Sequence, residues 1–198
     1  MKEKRAKILK EALKLAPFDG WNKQTLSNAA AKAGFAPEYS QIAFPGGAKD
    51  AIDFFLRDLD QQMLDKLSKT GLESLKIRDR ITLAVRTRIE LLEKHRLAMR
   101  GIISFYSSPL NCSCTLPSLW KTVDSIWVAA GDTATDFNHY TKRITLAGVY
   151  SSTLLYWLKD ESKDYQASWD FLSRRINNVM QINKAKAKLS GFFSRAKI

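Results

Sequence analysis

The chain has 198 residues, of which 45% are hydrophobic and 26% are charged, which is usual for one soluble globular domain with a sizeable core. Its formal charge of +12 favours an anionic partner such as nucleic acid or an acidic membrane surface. Cys112 and Cys114 are too close in sequence for a good disulfide and too few for a metal site, which argues against a disulfide-stapled secreted domain.

Residues 1–60 are expected to form a helix-turn-helix-like unit. Pro17 is expected to stop an amphipathic first helix, and Asn22 to cap an alanine-rich second helix that ends at Gly34. A short third helix spans about residues 37–44, before a Pro-Gly-Gly break. This order resembles the N-terminal unit of the TetR-type regulators.

The third helix is poorly suited to reading DNA. Residues 35–44 contain no Arg or Lys, and Glu38 would face a polyanion, although phosphate neutralisation usually supplies much of the affinity for DNA. Only Tyr39, Ser40 and Gln41 could reach bases or phosphates. Nucleic-acid binding is therefore disfavoured, but a TetR-type regulator with a lipophilic ligand remains the alternative, since the basic first helix could grip a DNA backbone.

Residues 61–183 are predicted to form an all-helical core. Gly131 can end one helix, and Asp132, Thr135 or Asp136 can cap the next. The helix that follows, residues 137–158, carries apolar residues on both sides and is therefore expected to be buried. Small residues at its centre, such as Gly148, allow either close helix packing or an internal cavity, and close packing is the more frequent reason for them.

Several motifs together indicate a family. They resemble, in order and spacing from residue 8 to residue 181, the Coq-nine family of ubiquinone-biosynthesis accessory proteins. The motifs are Pro17-Phe18-Asp19-Gly20-Trp21, Phe44-Pro45-Gly46-Gly47, Arg78-Asp79-Arg80-Ile81, Gly131-Asp132, Thr135-Asp136-Phe137-Asn138, Tyr140-Thr141-Lys142-Arg143 and Phe171-Leu172-Ser173-Arg174-Arg175-Ile176.

The resemblance implies a TetR-like all-helical fold that has lost DNA binding and has a hydrophobic pocket for isoprenoid quinone intermediates or phospholipid. No cofactor is expected. No catalytic activity is expected either, because the sequence shows two distant histidines and no recognisable nucleophile motif or phosphate loop. The candidate lipid-binding residues are Phe105, Trp120, Trp127, Tyr150, Leu154 and Trp157.

The resemblance also implies a partner, the di-iron demethoxyubiquinone hydroxylase, held by an exposed patch. The candidate partner-binding residues are Asp136, Phe137, Asn138, His139 and Tyr140. His139 stands where the family usually has Trp, and it offers less area for burial. If the dimer mode of TetR-like proteins is kept, residues 137–158 and 164–181 form a homodimer seam.

Residues 184–198 are predicted to be an amphipathic membrane-binding tail. Five basic residues and no acidic one surround an apolar arc, which is typical of a helix lying in an anionic membrane interface; a solubilising tail is the alternative. The candidate membrane-binding residues are Lys184, Lys188, Leu189, Phe192, Phe193 and Arg195.

The sequence predicts peripheral attachment rather than membrane insertion. The longest apolar run, residues 144–158, is shorter than the roughly 20 residues of a spanning helix. The basic N-terminus has no secretory or transit signal. We therefore expect a protein on the cytoplasmic side of a bacterial inner membrane, or on the matrix side of the inner mitochondrial membrane if the protein is organellar.

Overall fold

The computed structural model describes the backbone of residues 1–111, 115–132 and 137–195, and the side chains of residues 1–111, 116–132, 139–179 and 181. All regular elements in these residues are helical, as the sequence predicts. The helices are α1 (Lys2–Asp19), α2 (Lys23–Lys32), α3 (Tyr39–Ala43), α4 (Gly47–Leu67), α5 (Ile77–Glu90), α6 (Arg96–Ser107), α7 (Thr115–Ala129), α8 (Phe137–Trp157) and α9 (Gln166–Arg195).

The N-terminal unit differs from the prediction at one boundary. Pro17 does not stop α1, which continues to Asp19 and ends at Gly20 with φ of 75°. A proline in the last turn removes only one backbone donor, and its fixed φ suits a helix. Asn22 caps α2 as predicted, because its side-chain oxygen accepts a hydrogen bond of 2.9 Å from the backbone N–H of Thr25.

The long helix α4 joins the N-terminal unit to the rest of the molecule. Its buried residues include Ile52, Phe55, Leu59 and Met63, and it packs against α2, α5 and α7. The buried apolar side chains form one cluster that extends from α1 to α9. The N-terminal unit therefore shares its hydrophobic core with the helices that follow.

The connection between α8 and α9 is organised around Asp160, which is buried. Its carboxylate accepts hydrogen bonds of 2.8 Å from the backbone N–H groups of Ser162 and Ser168, and a third from the hydroxyl of Ser168. Burial by itself would raise the pKa of Asp160, but the hydrogen bonds from Ser168 and Ser162 outweigh it and lower the pKa to about 2.

The Asp160→Asn variant is predicted to lose stability in a pH-dependent way. Because the pKa is lower in the folded protein than the ordinary 3.8, the carboxylate stabilises the fold above about pH 4, and this stabilisation is lost as the pH falls toward 2. The variant should therefore be less stable than the wild type by about 1–2 kcal/mol at pH 7, with a smaller difference at pH 3. Urea unfolding at both pH values measures it.

The exposed neighbour Glu161 provides the control, and Glu161→Gln should change the free energy of unfolding by less than about 0.5 kcal/mol at either pH. A difference between wild type and Asp160→Asn that stays constant from pH 7 to pH 3 would contradict this account of the connection.

Candidate functional site

A pocket of about 240 Å³ lies between α4, α6, α7 and α8. Ser107 of α6 and Leu155 of α8 are the exposed residues of its lining, so we place the mouth of the pocket between these two helices. Most of the wall is apolar, and the hydroxyl groups on it come from Ser, Thr and Tyr. The lining residues are Leu56, Met99, Ile102, Ile103, Tyr106, Ser107, Ser118, Leu119, Thr122, Tyr150, Ser151, Leu154 and Leu155.

Two polar groups on the pocket wall are held by Asp53 of α4. Its Oδ1 atom accepts hydrogen bonds from the Ser118 hydroxyl at 2.6 Å and from the Tyr106 hydroxyl at 3.2 Å. These bonds join α4, α6 and α7 on one side of the pocket. The hydroxyls of Tyr106 and Ser118 are therefore already engaged before any ligand arrives.

A buried ion pair between α4 and α5 lies next to Thr122, which is one turn after Ser118 on α7. Arg88 Nε donates to Asp60 Oδ1 at 2.7 Å, and both side chains are almost completely buried. The Thr122 hydroxyl, from the pocket wall, donates to the same carboxylate at 3.1 Å, and Arg88 Nη2 donates to the Leu56 carbonyl at 3.2 Å. Buried charges are tolerated only with such pairing and hydrogen bonding, so this cluster fixes α4, α5 and α7 relative to one another.

The structure brings two of the six candidate lipid-binding residues to the pocket. Tyr150 and Leu154 line it from α8. Phe105 instead packs edge-on against the ring of Tyr106, with the centroids 5.5 Å apart. Burial raises the pKa of the Tyr150 phenol, which therefore keeps its proton.

The three tryptophans among the candidates lie elsewhere. Trp157 is completely buried beside Tyr165, with the ring centroids 5.6 Å apart. Trp127 packs under the Lys142 ammonium group, 5.4 Å from its ring centroid. Trp120 contacts Tyr140, near the start of α8. None of the three tryptophans is among the residues that line the pocket.

Sequence reasoning overlooked the lining that α6 and α7 provide. Ser118 and Thr122 are one helical turn apart on α7, and Ile102 and Tyr106 have the same spacing on α6. Hydroxyl side chains repeated at this spacing on an otherwise apolar face were the available signal. The spacing of these residues could be recognised in the sequence, but only the packed structure shows that the faces of α6 and α7 line the same pocket as α4 and α8.

The candidate partner surface is an aromatic cluster, of which the structure describes part. The ring centroid of Trp120 is 6.4 Å from that of His139 and 6.0 Å from that of Tyr140. Tyr140 is 57% exposed. Asp136 and the side chains of Phe137 and Asn138 lie outside the described residues.

Ion pairs hold the base of this aromatic cluster. Arg143, which is buried, donates to Asp124 at 2.6 Å and to Asp132 at 3.1 Å, and Lys142 donates to Asp132 at 2.7 Å. Gly131 ends the preceding helix in the left-handed conformation, with φ of 85°, as the sequence predicts. The other candidate caps, Thr135 and Asp136, lie outside the described residues.

Residues 184–195 of the basic tail are described only in their backbone, and residues 196–198 lie outside the described residues. Helix α9 continues without a break to Arg195, across the boundary expected near residue 183. The side chains of the six candidate membrane-binding residues, Lys184, Lys188, Leu189, Phe192, Phe193 and Arg195, lie outside the described residues. Among the described helices, none combines the length and the apolar character that crossing a bilayer requires.

A larger cleft of about 920 Å³ lies between α1, α4 and α5. Charged side chains of both signs line it, and they include Lys2, Lys10, Glu3, Asp58 and Glu90. Mixed charges of this kind suit a solvated surface better than an apolar ligand. The smaller pocket is therefore the better candidate for a lipid.

The arrangement of helices defines the class of protein. A TetR transcriptional regulator from Nitrosomonas europaea superposes with a TM-score of 0.69, at 21% identity, over 87% of this chain and 95% of that one. The chain therefore has a TetR-like fold, with an apolar pocket in its larger helical part.

Sequence comparison shows which family the chain resembles. The COQ9 family model matches residues 112–183. The human ubiquinone biosynthesis protein COQ9, mitochondrial, is 30% identical over 184 residues, and the Drosophila melanogaster protein of the same name is 28% identical over 191 residues. These matches cover 89% and 94% of this chain. Over most of its length, this chain is similar to proteins of the COQ9 family.

The relatives are longer than this chain. The matches span 57% of the human protein, 58% of the Drosophila protein and 62% of a probable relative from Dictyostelium discoideum, which is 27% identical. The chain thus corresponds to somewhat more than half the length of these relatives. Their names describe them as mitochondrial proteins of ubiquinone biosynthesis.

The ion pair beside the pocket is predicted to be essential for stability. Asp60→Asn leaves the Arg88 charge buried without a counter-charge and should lower the free energy of unfolding by about 3–5 kcal/mol, as measured by urea denaturation. Asp58→Asn is the matched control, because Asp58 is exposed on the same helix and should change stability by less than about 0.5 kcal/mol. Equal effects of the two substitutions would contradict the role given to the pair.

Proposed function

We propose that this chain is a non-enzymatic, lipid-binding accessory protein of ubiquinone biosynthesis. It binds an isoprenoid quinone intermediate in the pocket between α4, α6, α7 and α8 and presents it to the demethoxyubiquinone hydroxylase. The observation that carries the proposal is the apolar pocket with its exposed mouth, in a chain whose relatives are named for ubiquinone biosynthesis. The lipid is cargo rather than a cofactor.

The size of the pocket limits how the lipid is held. Sites for drug-sized ligands usually have about 300–1,000 Å³, and this pocket has about 240 Å³. It therefore accommodates part of a polyprenyl quinone, and the remainder must leave through the mouth. Leu155 at the mouth and Tyr156 beside it on α8 are 51% and 40% exposed, and they supply apolar surface for that part.

Filling the mouth is predicted to remove the lipid. Ser151 lines the pocket on α8, and Ser151→Trp places an indole where the ligand would pass. We expect lipid that co-purifies with the protein to fall about tenfold, as measured by mass spectrometry of organic extracts.

The control for this substitution is Thr145→Trp, at an exposed position of α8 that does not line the pocket. It should leave the amount of lipid unchanged. Wild-type protein that carries no quinone or prenyl lipid, or equal lipid in both variants, would contradict the proposed function.

The aromatic cluster of Trp120, His139 and Tyr140 is proposed as the hydroxylase-binding surface. His139 supplies less area than the Trp expected from the family, and Trp120 of α7 adds an indole next to it. Tyrosine and tryptophan are frequent anchors of protein interfaces. Trp120 of α7 thus adds aromatic surface to the cluster beside His139 of α8.

Substitution of the anchors is predicted to weaken capture of the hydroxylase. Trp120→Ala and Tyr140→Ala should each raise the dissociation constant about tenfold or more, as measured with purified demethoxyubiquinone hydroxylase by biolayer interferometry. Phe18→Ala is the control, because Phe18 is a highly exposed aromatic residue on α1, away from this cluster. Unchanged affinity in both anchor variants, with intact folds by circular dichroism, would exclude this surface.

The attachment to a membrane and the dimer are part of the same proposal. The basic sequence of residues 184–198 supports peripheral binding to an acidic membrane. This is the inner mitochondrial membrane, on its matrix side, if the protein is organellar, and the bacterial inner membrane otherwise. On α8, Ile144 is 64% exposed and supports a homodimer through α8 and α9.

A DNA-binding regulator is the alternative that the TetR-like fold suggests. Helix α3 has five residues, none of them basic. In α1, Arg5 pairs with Asp50 at 3.1 Å, and Lys4 lies 5.3 Å from the centroid of the Tyr39 ring. These cations are engaged within the N-terminal unit, which favours the lipid-binding function over DNA recognition.

A further inference from the structure

Tyr150 is a buried residue on the pocket wall, and its hydroxyl has no hydrogen-bond partner among the described residues. The residue is 4% exposed and lines the pocket from α8. No residue whose side chain the structure describes forms a hydrogen bond with this hydroxyl. A hydroxyl on the wall of an apolar pocket that bonds to no protein group is free to orient a ligand, because a few polar groups set the orientation in such pockets.

The hydroxyls that Tyr106, Ser118 and Thr122 contribute from α6 and α7 do not compete for this role. Ser118 and Tyr106 bond to Asp53, and Thr122 bonds to Asp60. Tyr150 differs from them in having no carboxylate to which it donates. Its burial also raises its pKa, which keeps the hydroxyl protonated and able to donate.

The charged side chains next to the pocket wall determine whether a charged or a neutral ligand oxygen can bind there. Asp53 and Asp60 are both carboxylates, and Arg88 compensates only one of them. The other cations near these carboxylates, Arg57 and Lys121, are exposed to solvent and form no ion pair with either carboxylate within the described residues. A phosphate or carboxylate entering this end would be repelled by Asp53, which has no ion-pair partner among the described residues, whereas a neutral oxygen would not be repelled.

We propose that Tyr150 donates a hydrogen bond to a neutral oxygen on the ring of an apolar-tailed ligand, such as a carbonyl or methoxy group. The inference rests on the proposed function, because it concerns the same pocket. The ring enters first, and the tail leaves between α6 and α8 past Leu155. Tyr150 is thus the residue that distinguishes a quinone from a plain hydrocarbon.

The test compares two probes with the same tail, decyl-ubiquinone and decylbenzene, in equilibrium dialysis against the full chain. Wild-type protein should bind the quinone about tenfold more tightly than the hydrocarbon, which is the usual effect of one hydrogen bond to a buried donor. Tyr150→Phe should remove this preference by weakening quinone binding, and it should leave decylbenzene binding unchanged. Tyr39→Phe, the same substitution on α3 and away from the pocket lining, should behave as the wild type.

A stability measurement separates this role from a structural one. Because the hydroxyl has no protein partner, Tyr150→Phe should unfold at the same temperature as the wild type or a higher one. A lower unfolding temperature, equal binding of the two probes by the wild type, or loss of both probes in Tyr150→Phe would overturn the inference. Failure of the wild type to bind either probe would instead overturn the proposed function itself, and the inference with it.

Discussion

The buried pair of Asp60 and Arg88 is the contact on which the pocket depends. It ties α4 to α5, and the Thr122 hydroxyl brings α7 to the same carboxylate. Leu56, one turn before Asp60, lines the pocket and also receives a hydrogen bond from Arg88 at its carbonyl. An apolar cavity is easily lost by collapse of its walls, and a desolvated charge pair resists such collapse because separating the partners leaves a charge unpaired. The ion pair thus fixes the relative positions of α4, α5 and α7 beside the cavity.

The sequence predicted most of the fold because local rules agree with the tertiary structure here. Asn22 and Gly131 occupy positions where a side-chain oxygen or a positive φ is required, and their roles were readable. Pro17 misled the prediction because a proline near a C-terminus costs little, and the stop signal was Gly20. Helical periodicity also identified the buried faces, but it could not say which faces meet.

The pocket itself was only half predictable for a physical reason. Large aromatic residues were chosen as lining, yet Trp157 fills space completely and Trp127 covers the core beside Lys142. A cavity forms where side chains fail to fill the space between helices, so the residues that define it include small ones such as Ser118 and Ser151. Such an unfilled space results from the packing of four helices, so the sequence of any one helix contains little sign of it. The contact between Trp120 and His139 also arises from tertiary packing.

Helix α7 carries neighbouring residues with different surroundings. Leu119 lines the pocket, and Trp120, the next residue, contacts His139 and Tyr140. A helix moves largely as one body, so a shift of α7 displaces both side chains together. Thermodynamic reciprocity then applies: if an occupied cavity strengthens docking of a partner protein by some factor, the docked partner strengthens retention of the cargo by the same factor. The same coupling free energy would then slow the release of the cargo and the release of the partner.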